Sequence, residues 1–71
     1  MIKLSDYSAA INSFGKAIEL DDHFPEAYYG RGVAYILNTQ LPEGLSSLSQ
    51  AGELGLYSAY NLIKKYSNEK K

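Results

Sequence analysis

The sequence lacks cysteine and tryptophan, and it has one histidine and two prolines in 71 residues. Without cysteine there is no disulfide, no thiolate nucleophile and no cysteine-based zinc site. The single histidine, His23, follows Asp21 and Asp22, and three adjacent polar residues form a solvated turn more often than a metal or catalytic site. We therefore expect no catalytic residue, no metal site and no cofactor, and we interpret the chain as a non-enzyme.

The sequence also lacks a charge surplus and a long apolar run. Seven Lys and Arg against eight Asp and Glu give a net charge of −1, so there is no basic field to hold a phosphate backbone. No apolar run approaches the roughly 20 residues of a membrane span, and the first residues lack the apolar stretch of a signal peptide. We expect no nucleic acid or membrane partner, and a cytoplasmic location unless the chain belongs to a longer exported protein. The basic last turn suits a helix dipole and includes Lys64, Lys65, Lys70 and Lys71.

An internal repeat is present at an offset of 34 residues, which aligns Phe14 with Leu48 and Ala17 with Ala51. A repeat of this length is typical of stacked helix pairs. Within the first copy, large apolar residues recur at steps of three and four and predict one helical face. That face consists of Leu4, Tyr7, Ile11, Phe14 and Ile18.

Prolines and a glycine mark the other helix ends. Pro25 and Pro42 suit the first turn of a helix, and Gly55 suits the position just past a helix end. The sequence predicts an all-α fold of antiparallel helix-turn-helix repeats. Its predicted helices span residues 4–20, 25–38, 42–54 and 57–66, in one domain over residues 1–66 with a frayed tail at 67–71. We expect Phe14, Leu48, Tyr7, Tyr28, Tyr35 and Tyr60 in the core, and Ser46, Ser47, Ser49 and Gln50 mostly outside.

The pattern resembles the tetratricopeptide repeat, whose helix pair is written W-x2-L-G-x2-Y, then A-x3-F, then P. In this chain Tyr28-x2-Arg31-Gly32-x2-Tyr35 matches the first part, and Ala10-x3-Phe14 matches the second. The resemblance implies one whole repeat from about residue 24 to 54, preceded by the second helix of another repeat and followed by a capping helix. Asp22 stands where the family usually has proline, which leaves that helix boundary open.

The resemblance also implies a function, which is to bind a protein or peptide on the concave surface formed by first helices. At that face this chain offers an apolar set rather than the basic side chains that clamp a carboxylate. The predicted contact residues are Glu26, Tyr29, Gly30, Val33, Ile36 and Leu37. Arg31 stands where the family usually has Leu, and we expect it to have a structural role, such as pairing with a carboxylate like Glu26 or Asp22, in preference to contacting a ligand.

The N-terminal edge of the predicted stack leaves two alternatives open. Repeat arrays usually need about three units to be stable, so this edge is expected to be covered by further repeats or by a second copy in a homodimer. The alternative to a binding module is a structural capping fragment of a larger repeat protein, with no ligand of its own.

Overall fold

The computed structural model describes residues 6–67, which form four α-helices without a strand in that range. The helices are α1 (Tyr7–Leu20), α2 (Pro25–Leu37), α3 (Leu41–Glu53) and α4 (Ser58–Ser67). Each helix packs against the next one along the chain, so the predicted all-α repeat fold is confirmed. None of the helices in this described range has the length and apolarity that crossing a bilayer requires.

The helix ends follow the signals in the sequence, with small differences. α1 ends at Leu20 before the Asp21-Asp22-His23 segment, and its predicted start at residue 4 lies outside the described residues. Asp6 precedes α1 without forming a side-chain cap. Ser67, which we expected to be frayed, is the last residue of α4, and its hydroxyl donates to the carbonyl of Ile63 at 2.7 Å. The remainder of the predicted tail, 68–71, lies outside the described residues.

The core lies between α2, α3 and α4 and is centred on Leu48, Ala51 and Ala59, which are fully buried. Six partly buried side chains pack around these three: Tyr28, Tyr29, Ile36, Leu56, Leu62 and Ile63. Leu48 packs against Gly32, since a Cβ atom placed on Gly32 would lie 2.8 Å from Cγ of Leu48. The predicted packing of large against small side chains is therefore present between α2 and α3.

Several residues that we expected in the core are less buried. Phe14, Tyr7, Tyr28 and Tyr35 are half-buried, and no residue of α1 is fully buried within the described range. Tyr60 is 43% exposed, although its ring covers Gly52. These aromatic rings are long enough to cover a backbone on one side and contact water on the other.

Arg31 joins α2 to α3 through partners that differ from the predicted ones. Its Nε donates to the hydroxyl of Ser47 at 3.0 Å and its Nη2 to Gln50 at 3.5 Å, whereas we expected Glu26 or Asp22. The guanidinium carbon lies 5.5 Å from the Tyr28 ring centroid and 5.9 Å from that of Tyr35. Ser47, expected outside, is buried because Arg31 satisfies its hydroxyl. Arg31 thus has a structural role, since its hydrogen bonds link α2 to α3.

Two helix ends use the same hydrogen-bond pattern with different residues. After α2, Thr39 N–H donates to Ile36 and Gln40 N–H to Tyr35, at 3.0 and 2.8 Å. After α3 the equivalent donors are the N–H groups of Gly55 and Leu56, which bond to Gly52 and Ala51. This motif needs a left-handed residue after the cap, and that residue is Thr39 (φ 63°) in the first case and Gly55 (φ 112°) in the second.

Thr39→Gly is expected to stabilise the protein by about 1 kcal/mol, because a β-branched residue is strained at positive φ and glycine is not. The matched change Gly55→Ala is expected to destabilise it by a similar amount. Urea unfolding of both variants, followed by circular dichroism, measures the two effects. A Thr39→Gly protein less stable than the wild type would contradict the assigned backbone conformation.

Candidate protein-binding surface

α2 is the central helix of the candidate site because it packs against α1 on one side and α3 on the other. Pro25 occupies its first turn and Glu26 lies beside it, where a carboxylate suits the positive end of the helix dipole. The buried residues of α2 are small, namely Ala27, Gly32 and Ala34. Small side chains at these positions let both neighbouring helices approach closely.

Helical spacing groups the six predicted site residues on one side of α2, since each of them has others three, four or seven positions away. Two of them, Glu26 and Leu37, are exposed, and Leu37 retains 51% of its accessible surface. Val33 is half-buried between them along the helix. These three residues contribute solvent-accessible surface on this side of α2.

Tyr29 and Ile36 are half-buried and also pack against the core cluster of Leu48, Ala51 and Ala59. Ile36 additionally covers Gly44, where a Cβ would lie 2.5 Å from its Cγ1 atom. Both side chains are thus held in place by their packing against the core. Side chains fixed in this way lose little conformational freedom in a contact.

Gly30 is placed differently from the other five. A Cβ on Gly30 would lie 2.4 Å from Cζ of Phe14, so the Phe14 ring of α1 covers this position. Gly30 therefore serves the packing of α1 on α2, and the side of α2 that faces outward does not include it. Helical spacing groups Gly30 with its neighbours but carries no information about which side chain of another helix lies over it.

Charge on this surface is sparse. Glu26 is the one ionisable group among the six residues apart from the Tyr29 phenol, and no cation is among them. An apolar surface with a single carboxylate at its end can bury hydrophobic side chains of a partner. It has no group suited to pairing with an anion.

The only histidine, His23, lies in the loop between α1 and α2, three residues before Glu26. Its Nδ1 is 2.9 Å from an oxygen of Asp22, and its backbone N–H donates to Asp21 at 3.1 Å. The ligand atoms of these three residues lie within 4.8 Å of one another, and all three side chains are exposed. Their contacts are those of a solvated turn, with the backbone carbonyl of Asp22 also accepting from the Tyr28 hydroxyl at 3.1 Å.

A family model described as TPR repeat matches residues 2–38, slightly more than half of the chain. The matched range contains α1 and α2, the two helices between which Phe14 covers Gly30. Comparisons with curated proteins and with solved structures found no significant match.

Proposed function

This chain belongs to the tetratricopeptide-repeat family, and we propose that it binds a partner polypeptide on the outward side of α2. The family generally consists of protein–protein interaction modules. The observation that carries the proposal is the apolar strip of Val33 and Leu37, in which Leu37 is 51% exposed and Val33 half-buried, beside Tyr29 and Ile36, which pack against the core.

The chemistry of this strip favours an apolar helix or an extended segment as the partner. Val33 and Leu37 are four residues apart and present adjacent side chains, which suits hydrophobic anchors of a bound segment. Tyr29 adds a ring whose phenol can hydrogen-bond at the margin of such a contact. Glu26 at the N-terminal end disfavours an acidic residue of the partner nearby.

We further infer that the chain is not an enzyme, in keeping with a family that is typically non-catalytic. General acid or base catalysis needs a titratable group beside a reacting atom in a site that restricts water. His23, the only imidazole, has a largely exposed side chain in a turn. His23 therefore has the environment of an ordinary loop residue.

Peptides selected from a display library for binding to the 71-residue chain are the probes that test the binding proposal. Selected peptides are expected to bind Val33→Asp at least about tenfold more weakly, because a carboxylate would have to be desolvated in the contact. Leu37→Ser is also expected to weaken binding. Because Leu37 is exposed, this substitution is expected to leave the protein folded. Titration by fluorescence anisotropy measures each affinity.

Ser46→Asp is the matched control, since it adds the same charge at an exposed position of α3. It is expected to bind the selected peptides like the wild type. Peptides that bind the Leu37→Ser and Val33→Asp proteins with undiminished affinity, while both variants keep their helical content, would place the binding surface elsewhere.

A second candidate function, capping of a larger repeat protein, is favoured by α1. No residue of this helix in the range 7–20 is buried, whereas α3 has five buried residues. Tyr7, Ile11 and Ile18 share its apolar side and are half-buried. A further repeat, or a second copy forming a homodimer through this edge, would cover them.

The two ways of covering α1 differ in a measurable property. A homodimer through apolar side chains would persist at high salt and would be lost in an Ile18→Asp variant. If the chain instead caps another repeat, the isolated chain would be monomeric. Ile18→Asp would then leave its sedimentation unchanged and would weaken only the larger assembly. Sedimentation velocity over a range of protein concentrations distinguishes them.

A further inference from the structure

The loop between α1 and α2, with its flanking turns at residues 19–26, combines exposed hydrophobic side chains with negative charge. Leu20 is 89% exposed, and Phe24 is exposed in the same segment. Four of the seven carboxylate side chains within residues 6–67 lie here, all exposed: Glu19, Asp21, Asp22 and Glu26. We call this segment the acidic corner.

α4 and the residue that precedes it carry the opposite charge together with exposed aromatic rings. Tyr57 lies directly before α4, and Tyr60 and Lys64 are four residues apart on one side of this helix. Tyr57 is 71% exposed, and its ring stacks on that of Tyr60 with centroids 6.4 Å apart and planes inclined by 16°. Lys64 and Lys65 are exposed, and α4 contains no carboxylate side chain. We call Tyr57, Tyr60, Lys64 and Lys65 the basic face.

The acidic corner lies where α1 joins α2 and the basic face lies at α4, in a stack in which α1 packs on α2, α2 on α3 and α3 on α4. The two surfaces carry charges of opposite sign beside exposed apolar or aromatic side chains. In the acidic corner a leucine precedes two aspartates, and on the basic face two tyrosines precede two lysines. An exposed leucine can be buried on stacked rings while the adjacent carboxylates approach the ammonium groups.

We propose that the acidic corner of one molecule binds the basic face of a second copy. Leu20 is the hydrophobic anchor on Tyr57 and Tyr60, and Asp21 and Asp22 pair with Lys64 and Lys65. Because the contact joins two different surfaces, it is heterologous and leads to head-to-tail chains rather than to a closed dimer. Apart from Glu26, the acidic corner shares no residue with the α2 surface, and the proposed contact differs from a dimer through the apolar side of α1 in being sensitive to salt.

Complementary charge reversal tests this contact in the complete 71-residue chain. Sedimentation velocity at about 10 mM salt, where charges act over about 30 Å, is expected to give a wild-type sedimentation coefficient that rises with protein concentration. The rise is expected to disappear at about 1 M salt. Asp21→Lys/Asp22→Lys and Lys64→Glu/Lys65→Glu are each expected to weaken self-association more than about tenfold, since like charges then face each other.

An equimolar mixture of the two reversed variants is expected to associate again, because each then offers the other a complementary surface. Glu43→Lys/Glu53→Lys changes the net charge as much as the corner reversal does, at exposed positions of α3, and is expected to associate like the wild type. Leu20→Ser is expected to weaken association while leaving the melting temperature unchanged, given the exposure of Leu20.

Three results would overturn the proposal. The first is a wild-type chain that stays monomeric at low salt up to millimolar concentration. The second is association that persists in both reversed variants, which would point instead to the apolar side of α1. The third is an equimolar mixture in which the two reversed variants remain monomeric, although each variant keeps its helical circular dichroism spectrum.

Discussion

Replacing Leu48 with alanine is expected to leave most of the chain unfolded in buffer at room temperature. Leu48 is fully buried, sits against Gly32 and belongs to the cluster that joins α2, α3 and α4. Truncation of a buried leucine to alanine costs about 2–5 kcal/mol, and a single small core rarely supplies more than about 3–5 kcal/mol in total. The loss is therefore comparable with the whole stability of the fold.

Urea titration followed by far-ultraviolet circular dichroism measures this effect. Leu37→Ala is the matched control, since it removes the same atoms from a half-exposed position and is expected to cost less than about 1 kcal/mol. Equal unfolding midpoints for the Leu48→Ala and Leu37→Ala proteins would mean that Leu48 is not the centre of the core.

Gly32→Ala is the second large effect, with an expected loss of about 2 kcal/mol. A Cβ on Gly32 would lie 2.8 Å from Cγ of Leu48 and 2.9 Å from the backbone carbonyl oxygen of Gly44. Gly44 in turn would place a Cβ 2.8 Å from the carbonyl oxygen of Gly32, so the two helix backbones are in direct contact. Backbone atoms cannot rotate away, and overpacking of this kind costs about 1–3 kcal/mol.

Gly15→Ala supplies the matched control for this prediction because nothing lies within 4 Å of its would-be Cβ. Gly15 is inside α1, where alanine is favoured over glycine by about 0.5–1 kcal/mol. The same substitution is thus expected to have opposite signs at positions 15 and 32. Thermal melts of the two variants check this, and stabilisation by Gly32→Ala would contradict the close contact of α2 and α3.

The fold was predictable from the sequence because two independent signals agree. The offset of 34 residues pairs Phe14 with Leu48, and the prolines and Gly55 mark helix ends. The turn after α2 was harder to predict. Asn38-Thr39-Gln40 contains no glycine, so the sequence predicts a helix end there without indicating that Thr39 takes the left-handed conformation.

Contacts between helices were the other part that the sequence did not determine. Periodicity places a residue on one side of its own helix but does not identify the side chain that meets it. For this reason the pairing of Arg31 with Ser47 and the cover of Phe14 over Gly30 were not predicted. The same limit applies to the α2 surface, whose residues could be grouped by spacing although their burial depends on α1 and α3.

The helices stack through large side chains laid on glycines, between α1 and α2, between α2 and α3, and between α3 and α4. Nuclear Overhauser effects in the labelled protein test this stacking most directly. We predict cross-peaks from the Phe14 ring to the Hα protons of Gly30 and from the Tyr60 ring to those of Gly52. A well-dispersed, helical spectrum in which both pairs of cross-peaks are missing would contradict the stacking and the proposals that depend on it.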